Sequence, residues 1–371
     1  MHVIYEYLFT CLIVFVLITT SVSTFLPLID IHLTQTEEYQ LEKLAERIFD
    51  KILLTPGYPY DWGTDIRINQ TLTEEEILQI LKDFGLAKLG EKQYVLDVNK
   101  VIRLENNSEL DNLYYISPKI ISKLLGIGKE YGFQLLIKPA INITTEINGN
   151  ELIVGVFSQE KVPLPGSEVQ AIAIWVDKKG NNDNLFNETV FSTTDWDGKC
   201  VLRFSKDLEN KGNQEGTSFI IFVNFYGIKT VYVSSSSQTI LASISNKYLS
   251  IGYSGSEAIH LRSDPIFITF PNIFYGEIIN DDRKGESPWV INKGSKSYRI
   301  YVLSSIDPNT NYIGLIIKAR GTNYLVAVPR PMMIDYSTGP IAGIHRVKLT
   351  RVVVINDLTY FIEFIFWRMY E

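Results

Sequence analysis

Residues 7–29 read YLFTCLIVFVLITTSVSTFLPLI, 23 consecutive positions without a charged side chain. A helix rises about 1.5 Å per residue, so this run is long enough to cover a hydrocarbon core of about 30 Å. A cleaved secretory signal would instead have a basic start, an apolar stretch of about 7–15 residues and a small-residue cleavage site. No Lys or Arg precedes the run, and the run exceeds that length. It is therefore read as a retained transmembrane helix in contact with membrane lipid, ahead of a signal peptide or a helix buried in a soluble core. Residues 1–30 form the expected anchor.

The next segment is an amphipathic helix. Leu41, Leu44, Ile48 and Ile52 recur at helical spacing, with Phe49 and Leu53 beside them. Glu37, Glu38, Glu42, Lys43, Glu46, Arg47, Asp50 and Lys51 occupy the remaining surface. The stripe is expected to pack on the protein's own body. Self-association through Leu41, Leu44, Ile48 and Ile52 is the sharper alternative. Thr55-Pro56-Gly57-Tyr58-Pro59 ends the helix, because proline lacks the amide donor and crowds the preceding turn. Thr73 with Glu76 three residues later is a capping box, opening a helix expected to end near Gly85. Ser117-Pro118 opens another, which Gly126 to Gly128 close.

From Phe133 onward the period becomes that of strands. Phe133 to Ile147, Glu151 to Phe157, Val169 to Val176, Thr189 to Thr193, Cys200 to Phe204, Phe219 to Tyr226 and Lys229 to Ser234 are short runs. Pro163-Leu164-Pro165-Gly166 and the loop Lys178 to Asn184 are turn-rich. This spacing predicts a β-sandwich, with Val169 to Val176 buried on both faces. Ser234 to Ser237 marks a boundary. Beyond it come Pro265 to Phe270, Ser297 to Ser304, Tyr312 to Lys318 and Tyr324 to Val328. Val347 to Ile355 and Leu358 to Trp367 flank Asn356-Asp357, which is hairpin-turn chemistry. The fold class is α+β: a transmembrane helix continuing into an amphipathic helix, then mainly antiparallel β with an inserted sandwich.

Composition narrows the function. The 371 residues are 46% hydrophobic with a net charge of −7, which excludes a disordered chain and argues against a nucleic-acid binder. Cys11 and Cys200 are the only cysteines and supply neither a disulfide framework nor a metal set. Asn69, Asn106, Asn142 and Asn187 head sequons, but chance yields about three at this composition. Lys43 and Arg47 lie well after the span, so basic-residue bias leaves its orientation open.

Two resemblances add to this. The apolar helix, the contiguous amphipathic helix, Leu53-Leu54-Thr55-Pro56-Gly57-Tyr58-Pro59-Tyr60-Asp61-Trp62-Gly63 and Gly85-Leu86-Ala87 resemble archaeal membrane-anchored surface proteins of the type IV pilin-like class, as does the closing stretch Arg351 to Arg368. This resemblance covers residues 1–140 and 345–371 and implies a C-terminal body outside the cell. Prepilins carry a basic leader, and here none precedes the span. Val162 to Val176 with Ser192-Thr193-Thr194-Asp195-Trp196-Asp197-Gly198-Lys199 is similar to bacterial immunoglobulin-like and carboxypeptidase-regulatory-like modules. The implied domains are an anchor at 1–30, a stalk and first part of a pilin-like body at 31–147, an immunoglobulin-like module at 148–235, and the β-rich remainder of the body at 236–371.

No catalytic, cofactor-binding or metal-ligating residue is assigned. Asp195 and Asp197 begin a calcium-loop pattern, but Lys199 and Val201 follow where ligands belong. Gly252-Tyr253-Ser254-Gly255-Ser256 lacks the second glycine of a nucleophile elbow, although His260 is nearby. The histidines at 2, 32, 260 and 345 share no metal spacing. Asp281-Asp282-Arg283-Lys284-Gly285-Glu286 reads as a solvated loop, and Glu74 to Glu76 as a charged helix start. The expected function is non-enzymatic: a single-pass surface protein for adhesion or envelope contact. The alternatives are a filament subunit, or a carbohydrate-binding protein or hydrolase using exposed Trp175, Trp196 and Trp289.

Overall fold

The computed structural model describes the backbone of all residues except 1, 107–111, 180–181, 206–207, 209–215, 236–238, 255–258, 295, 308, 320–321, 331–332, 341–344 and 370–371. Side chains within 2–8, 24–36, 177–179, 182–184 and 254 are likewise outside the description. One helix, α1, runs from His2–Leu54 without interruption, so the apolar run and the amphipathic stripe are one element. Among the described residues no helix is long and apolar enough to cross a membrane.

After α1 come α2 (Glu74–Ile80), β1 (Val95–Leu96), α3 (Val98–Val101), α4 (Pro118–Leu125) and β2 (Tyr131–Pro139). The Thr73–Glu76 capping box is formed, and Gly126 caps α4 at φ 72°. The α2 helix stops at Ile80, before the expected Gly85. The reason lies in the next residues: Leu81 turns extended, and Asp83 pairs with Tyr58.

An inserted module follows: β3 (Asn142–Asn148), β4 (Glu151–Phe157), β5 (Glu168–Lys179), β6 (Asn182–Thr193), β7 (Lys199–Arg203), β8 (Thr217–Phe225) and β9 (Ile228–Ser235). They form two antiparallel sheets, β3-β4-β7 and β6-β5-β8-β9. Between the sheets lies a core of its own, including Leu152, Val154, Ala171, Trp175, Leu202, Phe219 and Ile221. The module therefore starts at Asn142. The expected single strand from Phe133 to Ile147 is two, because β2 belongs to a different sheet from β3. The expected loop from Lys178 to Asn184 is mostly strand, since β5 runs to Lys179 and β6 begins at Asn182.

The remaining strands are β10 (Thr239–Leu241), β11 (Ser243–Ser245), β12 (Tyr248–Ser254), β13 (His260–Leu261), β14 (Ile266–Thr269), β15 (Asn272–Tyr275), β16 (Trp289–Lys293), β17 (Lys296–Val302), β18 (Tyr312–Ala319), β19 (Thr322–Pro329), β20 (Ile334–Ser337), β21 (Arg346–Ile355) and β22 (Leu358–Arg368). Three sheets result: β1-β21-β22-β2-β20, β10-β19-β18-β14-β15 with β13 on β18, and β11-β12-β17-β16. Pairing is antiparallel except for β1 with β21 and β10 with β19. Asn356 and Asp357 make the β21–β22 turn with φ of 50° and 60°, the geometry a two-residue hairpin requires. Of the boundary serines, Ser234 and Ser235 belong to β9, while Ser236 and Ser237 lie outside the described residues.

The second half of α1 lies on the sheet containing β21 and β22. Leu41, Ile48, Phe49, Ile52 and Leu53 are buried there, with Phe49 stacked on Phe364 at 5.2 Å. Of the stripe residues, Leu41, Ile48 and Ile52 are thus covered by the chain's own body, while Leu44 is partly buried. One face of the module's four-stranded sheet joins the same core through Ile172, Ile174, Ile220 and Phe222. That sheet is covered on both sides, which explains the continuous apolar character of Ala171 to Val176.

Candidate functional site

Two surfaces stand out. The first is the front half of α1. Phe9, Leu12, Phe15, Leu17 and Ile18 are exposed along a helix that makes no use of them within the chain. Large clustered apolar surface of this kind marks a lipid or protein contact. Where α1 reaches the body, Glu38 meets His345 at 3.1 Å and Glu37 lies 4.0 Å from Arg368.

The link from α1 to the body is tightly built. Leu86 N–H donates to the Ile52 carbonyl, Ala87 N–H to Thr55, and Trp62 Nε1 to the Gly85 carbonyl at 3.2 Å. A Cβ on Gly85 would lie 2.1 Å from the Thr55 carbonyl oxygen, so only glycine allows this approach. The stretches 53–63 and 85–87 are therefore packed on each other. Buried cations bind the link in place. Lys100 Nζ donates to the Pro56 and Ala87 carbonyls at 2.8 and 3.0 Å. Arg103 donates to the carbonyls of Gly63, Asp65 and Ile68 and to Ser245 Oγ. Burial lowers the Lys100 ammonium and brings Arg103 down to about 10. These roles are structural, since a buried guanidinium needs every donor engaged.

The second surface is one end of the module, where the β4–β5, β6–β7 and β8–β9 connections gather. Trp196 is 89% exposed in the β6–β7 turn, and Tyr226 is 90% exposed in the β8–β9 turn. Asp195 Oδ1 accepts from the amides of Asp197 and Lys199, so this carboxylate shapes the turn. Beside this end, a cleft of about 490 Å³ opens between the β6-β5-β8 face and Phe270-Pro271. Its floor holds Glu168, Gln170, Phe191, Phe222 and Asn224. Phe222 and Phe270 rings lie 4.9 Å apart, and Asn224 Nδ2 donates to Glu168 at 2.8 Å. None of these floor residues stands out as a functional candidate in the sequence.

The sequence candidates are dispersed. Trp175 is a core residue of the module, not an exposed one, while Trp289 is half-exposed and stacks on Tyr248 at 5.8 Å. Of Asp281 to Glu286, residues 283 to 286 are exposed as a solvated loop would be, but the first two positions are tied into an ion network. Asp281 is fully buried against Arg283, which also pairs with Asp264. Burial works to raise the Asp281 carboxyl, and the Arg283 hydrogen bonds outweigh it and hold it low. Asp282 pairs with His260 at 3.3 Å. The Ser254 side chain and residues 255 and 256 of the elbow-like stretch lie outside the described residues. Glu74 pairs with Lys119 and Lys123 of α4. Among the described residues no group of His, Cys, Asp and Glu could hold a metal ion. Glu105, unremarked in the sequence, is buried with Oε1 unpaired, and burial pushes its carboxyl up to about 8.

No family model matches the chain, and no curated protein matches it. Among solved structures, the chain is similar to Staphylococcus aureus TarS at 7% identity, over 50% of this chain and 39% of that one, with a TM-score of 0.15. The Dpr2 Ig1-Ig2 complex with DIP-Theta matches at 6% identity over 53% of this chain and 88% of that one, TM-score 0.13. The bacterial integrin-binding protein invasin matches at 10% identity over 62% and 54%, TM-score 0.13. Overlaps this slight establish no shared fold.

Proposed function

We propose that this protein is a single-pass, membrane-anchored surface protein that holds its β-rich body and immunoglobulin-like module outside the cell for binding or adhesion, not for catalysis. The observation that carries the reading is the contrast within α1. The run 7–29 is free of charge, and its described side chains, Phe9 to Ser23, are exposed, whereas Leu41 to Leu53 pack into the body. An apolar helix face left open in water carries a cost that lipid removes. The exposed aromatics at the module's loop end suit an outward-facing recognition surface, because such residues supply large contact area. The resemblance to pilin-like surface proteins implies an exterior body.

The test is fractionation of the native protein. It is expected to stay with membranes through an alkaline carbonate wash, and protease added to intact cells should remove the body. Recovery in the soluble fraction at full length would end the anchor reading. Recovery in sheared fibres would favour a filament subunit, in which the front half of α1 packs on other copies.

A further inference from the structure

We propose that the cleft between the module and the Phe270-Pro271 turn binds a neutral saccharide. Cross-strand partners in a sheet point to the same face. Glu168 is opposite Thr193 and Asn224, and Gln170 is opposite Phe191 and Phe222. The next positions on that face, Ile172 and Ile220, are buried in the body core. The face thus changes from packed and apolar to open and polar where the two units part, and the cleft lies at that change.

Gln170 is the informative residue. It is 5% exposed, and its Oε1 has no hydrogen-bond partner. Its Nε2 faces the Pro271 carbonyl at 3.4 Å, so reversing the amide would set two oxygens together. With that contact made, Oε1 is the orphan, and a buried acceptor without a donor is unfavourable. A ligand hydroxyl would satisfy it. The adjacent row brings a second acceptor, the Glu168 carboxylate. Phe191 is 68% exposed at the cleft mouth, and the Phe222–Phe270 pair forms a wall. Acceptors beside aromatic faces suit a ring that presents O–H donors and C–H faces together.

Other small ligands fit less well. A quaternary ammonium has no donor for Gln170 Oε1. A primary amine would meet Lys229, whose Nζ lies 6.0 Å from the Phe270 ring. An acidic sugar would face the Glu168 carboxylate. The volume of about 490 Å³ admits a ligand of mono- or disaccharide size. This proposal concerns the body and holds whether or not α1 lies in lipid.

The test uses the full chain in a polyoxyethylene detergent, because alkyl glycoside detergents carry the proposed ligand. The chain is applied to arrayed neutral glycans, acidic glycans and unstructured peptides. Neutral glycans are expected to bind. Gln170→Met and Phe191→Ala should each weaken that binding at least tenfold. Leu89→Ala, an exposed position between α2 and β1 that does not line the cleft, should leave it unchanged. Gln170→Met keeps the side chain's length and removes an unpaired oxygen together with one long contact to the Pro271 carbonyl, so it should melt close to the parent; Phe191→Ala alters an exposed ring. Absence of neutral-glycan binding, binding that survives both cleft substitutions, or capture of peptides instead would overturn the proposal. Fractionation with membranes would be unaffected by any of these results, so the two readings fail separately.

Discussion

The two halves of α1 have the same secondary structure and opposite surroundings. Phe15 and Phe49 show the difference: one ring is exposed, the other is fully buried against Phe364. Helix geometry alone does not distinguish them. What separates them is the distribution of charge around the apolar positions. Residues 7–29 carry none, so charge sets no face apart from the others. The second half has charges on all but one stripe, which selects the single face that meets the sheet.

The comparison is sharpest by substitution. Phe49→Ala should destabilise the body by about 3–5 kcal/mol, the usual cost of emptying a buried aromatic site. Phe15→Ala should leave thermal unfolding of the body unchanged. Equal effects at both positions would mean that the front half packs on the body after all. Arg103→Met comes next. It strips donors from three backbone carbonyls in the link between α1 and the body, and a loss of about 3 kcal/mol is expected in denaturant unfolding. An unchanged midpoint would show that the link is held without Arg103, by Lys100, Trp62 and the backbone hydrogen bonds.

A pH-dependent effect comes from Glu105. Its carboxyl is pushed from 4.5 to about 8 by burial, so between those values the folded chain holds a proton that the unfolded chain has released. Stability should therefore be greatest below about pH 4.5 with respect to this group, fall as pH rises, and level off above about pH 8. Glu105→Gln should flatten that slope and raise the midpoint at alkaline pH. A slope identical to the parent's would place the titration elsewhere.

Much of the fold was legible because local rules agreed with it. The Thr73–Glu76 box, the Gly126 cap and the Asn356-Asp357 turn are each set by a few adjacent residues. The two-sheet module followed from strand spacing, and its doubly covered strand from the apolar run that is unbroken from Ala171 to Val176. Errors arose where tertiary contact decided. The α2 helix ends early because Asp83 must pair with Tyr58. The chain changes sheets between Pro139 and Asn142, and nothing in the residue pattern marks it. The burial of Asp281 and the pairing of Asp282 and Arg283 were not legible, because the partners His260 and Asp264 come from another part of the chain. The cleft was invisible for the same reason: three strands and a turn contribute its residues, and Gln170 becomes notable only once its amide oxygen is found buried and unpaired.

The central claim, that the front half of α1 resides in lipid, has a native reporter. Cys11 is exposed on that half, while Cys200 is buried in the module, where burial pushes its thiol up to about 11 and keeps it unreactive. Isolated membranes would be treated with a charged, membrane-impermeant maleimide before and after detergent is added. Cys11 is expected to stay unlabelled until detergent exposes it. Full labelling of Cys11 in intact membranes would contradict the account.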